Sequence, residues 1–377
     1  MNHSADETRA SLANNLRYFI KWSLIALLIG GTGGLIGSLF SMGVSFATSF
    51  RMNHPNMLFF LPVSGILIVW LYHTFHEEGN RGTNMVIDAI SSTEKVTLAT
   101  GPLIFVSTVL THIAGGSSGR EGAALQLGGS LGNLFGNAIH LDEKDKKIAI
   151  MCGMSAVFSA LFGTPVAAAI FPLEVISIGV LYYAALVPCI FSSFIGVGIA
   201  RYLGIAGEHF TVLSIPAISV SSVGWIIFLS ALCAGVSIVF CLMLHGAEHT
   251  YRKIFPNPYV RILAASAIFI LLTLLIGTRD YCGSSMPLIE RSMEGEIGYE
   301  AFFLKMLFTA IALGAGFKGG EIVPTLCVGA AFGCAFGQIT GFAPSLCAAC
   351  SMAALFAGVT NCPISSLVIA LELFGYE

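Results

Sequence analysis

Charge is what this sequence has least of. Only 10% of its 377 residues are Asp, Glu, Lys or Arg, while 55% are hydrophobic. A water-soluble surface needs close to a quarter of its residues charged, so the two or three soluble domains that the length would accommodate are excluded. The 18 basic residues form no basic run and the net charge is −3, which removes nucleic acid as a partner.

Other signatures are absent or incomplete. G-G-T-G-G-L-I-G at 30–37 puts Ile36 where a dinucleotide fingerprint needs its third glycine. No strand pattern precedes it and no Walker lysine follows, so it reads as a close-packed helix face. Five of the ten cysteines (Cys152, Cys189, Cys233, Cys327, Cys334) lie inside apolar segments, where a thiol behaves as a small hydrophobe. Cys347 and Cys350 form a C-x-x-C without a second pair at zinc spacing or an adjacent strand pattern, and are read as packing. H-G-A-E-H at 245–249 fits a zinc-peptidase pattern. It closes an apolar span, runs into Tyr251-Arg252-Lys253 and is expected to lie away from the glycine turns described below, so it reads as an interfacial span end. His73, His76, Glu77 and Glu78 read the same way, as a solvated end. No metal, cofactor or enzymatic activity is expected.

What is present is apolar length. Segments 22–50, 148–171, 223–244 and 262–276 with its flanks approach or exceed the roughly 20 residues that cross a bilayer core. Segments 57–72 and 302–317 are shorter or interrupted by Gly and Pro. Interrupted spans are tolerated where backbone lines a cavity or is buried in protein. Residues 1–21 are polar and are expected to form a cytoplasmic segment, because Arg9, Arg17 and Lys21 precede a first apolar run too long for a signal peptide. The 142–147 loop carries three acids and three lysines, and its side is left open.

The chain also repeats itself. G-T-N-M-V-I-D-A-I from Gly82 lies over G-S-S-M-P-L-I-E-R from Gly283, and the same offset takes Gly115, Gly128, Gly132 and Gly136 onto Gly316, Gly329, Gly333 and Gly337. It sets Glu121 opposite Ile322 and Ala123 opposite Pro324. Slightly later, Pro165 pairs with Pro363 and Glu174 with Glu372. Glycines at four-residue spacing alone would mark only helix packing; two colinear blocks mark a duplication. Repeats with broken helices are a transporter signature, with the site near the midplane between the halves. The expectation is an all-α membrane protein in one transmembrane domain over 22–377, with repeat 1 about 22–200 and repeat 2 about 223–377.

Three glycine-rich turns, at 82–84, 115–122 and 314–324, each precede an apolar helical run. A helix N-terminus presents unpaired N–H groups and about half a positive charge, and glycine lets an ion approach them. Several such ends at bilayer depth hold a small anion without a buried cation. Glu121 lies between glycines in G-R-E-G, at the start of a long apolar run. An intramembrane carboxylate is a functional candidate. As an anion it competes for the N–H groups that the substrate needs, and as a neutral acid it releases them, so it can couple proton movement to anion movement. The alternative is a helix-end charge paired with Arg120.

These strings resemble the CLC anion-transport family: G-R-E-G at 119–122, G-F-K-G-G-E-I-V-P at 316–324, and G-T-N-M-V at 82–86 where chloride-type members carry G-S-G-I-P. The likeness runs from about residue 25 to the end. It implies a two-fold inverted repeat whose broken helices meet near the bilayer midplane, Glu121 as gate and proton acceptor, and an anion site formed by Thr83, Asn84, Gly119, Arg120, Gly122, Ala123, Glu321, Ile322 and Val323. Ala123 in place of the usual Pro, Asn84 in the first turn and Glu321 in G-G-E resemble the fluoride/proton antiporter branch. Thr83 and Val323 depart from that branch. The position of the inner relay glutamate of chloride-type antiporters falls on Val175, so no relay is expected, and Glu174 and Glu372 are read as helix-end charges. The chain stops at L-E-L-F-G-Y-E, where the family continues into a further helix, and no regulatory domain is expected. The resemblance implies fluoride export coupled to proton entry, with a chloride/proton antiporter or a passive channel as the alternative. It also implies a homodimer in a bacterial inner membrane.

Overall fold

The computed structural model describes residues 2–79, 82–91, 97–176 and 181–375, with side chains from residue 15 onward, that of Ser91 excepted. It is built of helices. α1 spans Asn2–Asn53. Its 52 residues extend roughly 78 Å at ~1.5 Å per residue, well beyond a ~30 Å hydrocarbon core. Helix begins at Asn2 and runs through the polar residues into the span without a break, because neither Gly nor Pro occurs before Gly30.

A 3-10 turn at Pro55–Phe60 leads into α2 (Leu61–Thr74), followed by α3 (Thr83–Ser91), α4 (Thr100–Ile113) and α5 (Glu121–Ala138). The apolar run 148–171, expected as one span, is two helices, α6 (Glu143–Phe162) and α7 (Pro165–Glu174). Gly163 takes a left-handed φ of 76° and ends α6, and Pro165 has no N–H with which to continue it. α8 (Leu186–Tyr202) closes the first half. The second half contains α9 (Val220–Ile254), α10 (Pro258–Ile276), α11 (Met286–Glu294), α12 (Ala301–Ala315), α13 (Ile322–Thr340), α14 (Pro344–Thr360) and α15 (Pro363–Phe374).

The duplication is visible element by element. α5 and α13 open at Glu121 and Ile322, 201 residues apart, and α7 and α15 open at Pro165 and Pro363, 198 apart. Two reciprocal contacts place the halves about a two-fold axis. Glu174, ending α7, accepts the Ile364 and Ser365 N–H groups (2.9 and 2.8 Å) and the Ser365 hydroxyl (2.6 Å) at the start of α15. Glu372, near the end of α15, accepts the Val166 and Ala167 N–H groups (2.9 and 2.8 Å) at the start of α7. Both are helix-end charges, as expected from sequence, but each caps its mate's helix rather than its own.

Packing follows the small residues. The 30–37 glycine stretch of α1 lies against α6 and α8: a Cβ at Gly34 would sit 2.9 Å from Gly196 Cα. Six helices among the described residues are long and apolar enough to cross a membrane. The most apolar stretch of α9 is only 22% buried, against 83% for α13, so α9 presents itself to lipid while α13 forms the interior.

Lys21 on α1 is ion-paired with Asp145 on α6, which puts the 142–147 loop on the N-terminal side of the membrane. The 203–219 connection runs on the opposite side. There the Glu208 N–H donates to Phe162 O (3.0 Å), Phe210 N–H to Leu373 O (3.0 Å) and Leu213 N–H to Ser345 Oγ (3.0 Å).

Candidate functional site

The turns that precede α5 and α13 are built alike. In each, a left-handed glycine, Gly115 (φ 87°) or Gly316 (φ 112°), follows the preceding helix, and the chain runs through small residues before the next helix starts. The two turns then pair with one another: Gly119 N–H donates to Gly320 O (2.6 Å) and Gly320 N–H donates to Gly119 O (2.8 Å). Because 119 and 320 are repeat mates, this antiparallel bridge lies on the two-fold axis and aims both helix N-termini at one region. A Cβ on Gly320 would lie 2.4 Å from Gly122 N, so the approach requires glycine.

Glu121 is 1% exposed. Its Oε2 accepts the Arg120 N–H (2.9 Å), and Oε1 lies 3.4 Å from Arg120 Nε. The helix-end pairing weighed for Glu121 is therefore present, yet the carboxylate also forms part of a cavity wall. Arg120 is held from several sides, with Nη2 2.5 Å from Glu208 Oε1 and Nη1 3.4 Å from Ser41 Oγ. The cavity has a volume of about 540 Å³ and is lined by Arg51, Arg120, Glu121, Glu208, Arg279 and Val323, among others. First-turn N–H groups lack an intrahelical acceptor, and Val323 in the first turn of α13 lines the same cavity as Glu121.

The third turn joins through Gly122, whose carbonyl accepts the Thr83 hydroxyl (3.3 Å) and the Gln126 amide (3.4 Å). The Thr83 hydroxyl, expected as an anion donor, has its proton directed to Gly122 O instead. Asn84 is exposed at the start of α3. The side chains of Ala123 and Ile322 are buried in the hydrophobic core, so at those positions it is backbone that can meet an anion. Glu321 is half-buried and within electrostatic reach of His245 and Cys241 on α9, away from the cavity that Glu121 lines. This corrects the expectation that the H-G-A-E-H stretch lies far from the glycine turns. α9 packs directly on the second one, where a Cβ on Gly314 would meet Ala247 Cβ at 2.8 Å. Sequence distance between the repeats hid this contact. Glu77 also departs from its expected solvated position. It is 6% exposed and accepts the Thr97 hydroxyl, whereas His73 and Glu78 form an exposed pair (2.5 Å).

Three polar residues around the two glycine turns escaped the sequence reading. Lys305 on α12 is fully buried, and its ammonium donates to Ser117 Oγ (2.8 Å), Gly283 O (2.8 Å) and Tyr281 O (3.4 Å). It ties the first glycine turn to the 281–283 turn, and its signal was a lone lysine in the apolar run 302–317. Gln126 is 1% exposed with Oε1 unpartnered among the described residues. Glu208 comes from the connection between the halves, where no motif marks it.

The sequence profile of the voltage gated chloride channel family matches residues 64–377. A chloride/fluoride channel protein of Pseudomonas syringae pv. tomato is 30% identical over 369 residues, 96% of this chain and 82% of that protein. An H+/Cl− exchange transporter of Vibrio cholerae is 24% identical, over 93% of this chain and 81% of its own length. Among solved structures, a CLC-type fluoride/proton antiporter superposes with a TM-score of 0.90 at 30% identity, covering 95% of this chain and 91% of that one. A cyanobacterial Cl−/H+ antiporter shares the fold at a TM-score of 0.78 and 18% identity, covering 94% and 89%.

Proposed function

Since the chain belongs to the CLC family of voltage-gated chloride channels, we propose that it is a secondary transporter that exports fluoride in exchange for protons, with Glu121 as gate and proton acceptor. One observation carries this reading. The Glu121 carboxylate occupies the junction of the α5 and α13 N-termini on the wall of a cavity, the position a transported anion needs. Deprotonated, it takes the N–H groups itself; protonated, it yields them. Proton binding and anion passage are thereby alternatives at one place.

Fluoride is favoured over chloride by likeness to the solved fluoride/proton antiporter, by Asn84 in the first turn and by the Gly319-Gly320-Glu321 string. Fluoride is small and strongly hydrated, so stripping its water demands close, strong donors, and backbone N–H groups at glycine turns supply them. A chloride/proton antiporter remains the second reading, supported by the similar exchange transporter.

Purified protein in liposomes separates these. An outward fluoride gradient, with the membrane potential clamped, should acidify the interior as protons are exchanged inward. Anion flux with constant internal pH would remove the coupling claim, and equal proton uptake with chloride would remove the fluoride preference. The native setting is proposed as a bacterial inner membrane with α1 entering from the cytoplasm. A homodimer is proposed with it.

A further inference from the structure

We propose that the cavity outside Glu121 contains a second anion site, separate from the helix-terminus site and formed by the guanidinium groups of Arg51 and Arg279, which holds a small monovalent anion before it reaches Glu121 or after it leaves. This rests on the anion-transport reading and extends it to a group of residues no motif contains.

Four arginines line the cavity: Arg51, Arg120, Arg279 and Arg291. Two are already neutralised. Arg120 is paired with Glu208 and Glu121, and Arg291 Nη2 lies 2.7 Å from Asp280 Oδ2. Arg51 and Arg279 have no ion pair among the described residues, although each is within electrostatic reach of the other. Arg279 and Glu290, both on the cavity wall, are exposed, and Glu290 forms no ion pair with either arginine among the described residues.

Arg51 is also fixed in place. It ends α1 and lies across two glycines whose backbones are joined, Gly283 N–H donating to Gly115 O at 3.1 Å. Both are left-handed, with φ of 67° and 87°. A Cβ on Gly283 would come 3.0 Å from Arg51 Nη2, and one on Gly115 3.2 Å from Arg51 Cδ. The guanidinium therefore rests on a shelf open only because both positions lack side chains. Its Nε is enclosed and has no hydrogen-bond partner among the described residues.

A partly desolvated guanidinium with an idle donor beside a second unpaired cation is unfavourable unless negative charge is supplied. No carboxylate on the cavity wall supplies it. A mobile anion can, resting against the part of the Arg51 guanidinium that lines the cavity and facing Arg279. A cavity of about 540 Å³ admits that anion with much of its water, so binding is weak, exchange is fast, and the effect is to concentrate anions at the gate. The helix-terminus site strips the ion and selects it; the arginine pair collects it.

The test uses the full chain with Arg51→Gln, Arg279→Gln and both together. Anion uptake into liposomes is measured with fluoride, and separately chloride, added on the cavity side. The double variant should raise the half-saturating concentration about five-fold, and the shift should shrink at high ionic strength. The effect should fall on half-saturation rather than on maximal rate, and Arg51→Lys should restore most of it. An unchanged half-saturating concentration would overturn the proposal, as would Lys and Gln variants of Arg51 behaving alike, which assigns Arg51 to structure. Chloride NMR line broadening by purified protein provides a readout independent of transport. Broadening should fall in the double variant, provided it elutes as wild type on size exclusion, and equal broadening in both proteins rejects the site. If wild type moves anions without protons, the coupling reading fails while these two measurements still decide the arginine site.

Discussion

At Glu121 a single carboxylate answers to two partners. The α5 N-terminus and Arg120 favour its anion, while burial at 1% exposure favours its neutral acid. Glu121→Gln retains an oxygen that can accept the Arg120 N–H but cannot exchange a proton. Anion flux should persist in liposomes while fluoride-driven proton uptake falls to background; intact coupling in this variant removes Glu121 from its assigned role. Lys305 makes the opposite case, of a charge that holds structure. Its ammonium serves Ser117 and two carbonyls, and each buried acceptor left without a donor costs about 1–3 kcal/mol. Lys305→Met should therefore lower stability by about 2 kcal/mol or more, read as an earlier thermal midpoint in detergent. A midpoint equal to wild type would show that the three bonds contribute nothing net.

Among elements, the α7 and α15 pair gives the clearest expectation. Each short helix has its first N–H groups capped by a carboxylate at the far end of its mate. Loss of a helix cap costs about 0.5–2 kcal/mol. Glu174→Ala and Glu372→Ala should each destabilise by about that amount, and the double variant by close to the sum, because the two caps are separate sets of bonds. Strong non-additivity in the thermal midpoints would mean that the two ends unfold as one unit. The sequence announced both glutamates as repeat mates but not this crossing. A helix-end acid has its usual partner within its own first turn, and only the two-fold placement brings the other helix within 3 Å.

For the whole molecule, sidedness can be tested directly. The Lys21–Asp145 ion pair and the positions of Arg51 and Glu208 on one cavity place the 142–147 loop and the 203–219 connection on opposite faces. Lysines and arginines near the first span favour the cytoplasm for the former. An impermeant thiol reagent should label Lys144→Cys only from the cytoplasmic face of membrane vesicles, and Ile218→Cys, at a position 94% exposed, only from the other. Labelling of both from one side would overturn the topology.

Membrane embedding, duplication and the place of Glu121 at a helix start between glycines were legible in the residues themselves. Low charge, apolar length and recurring glycines are local properties, and a helix start between glycines states its own electrostatics. The helix through the polar residues before Lys21 carries no sequence mark but the absence of Gly and Pro. The break at Gly163 was missed because one left-handed residue ends a run that composition alone reads as continuous. Arg51, Glu208 and Lys305 needed the tertiary structure. Each reaches the turn before Glu121 or the cavity beside it from a segment remote in sequence, and their meaning depends on which charges are already paired. So for Glu121 the sequence by itself determined the residue and the helix end that holds it. Only the folding of two halves about a common axis decided what faces it, because a two-fold contact joins residues about 200 positions apart that no local pattern links.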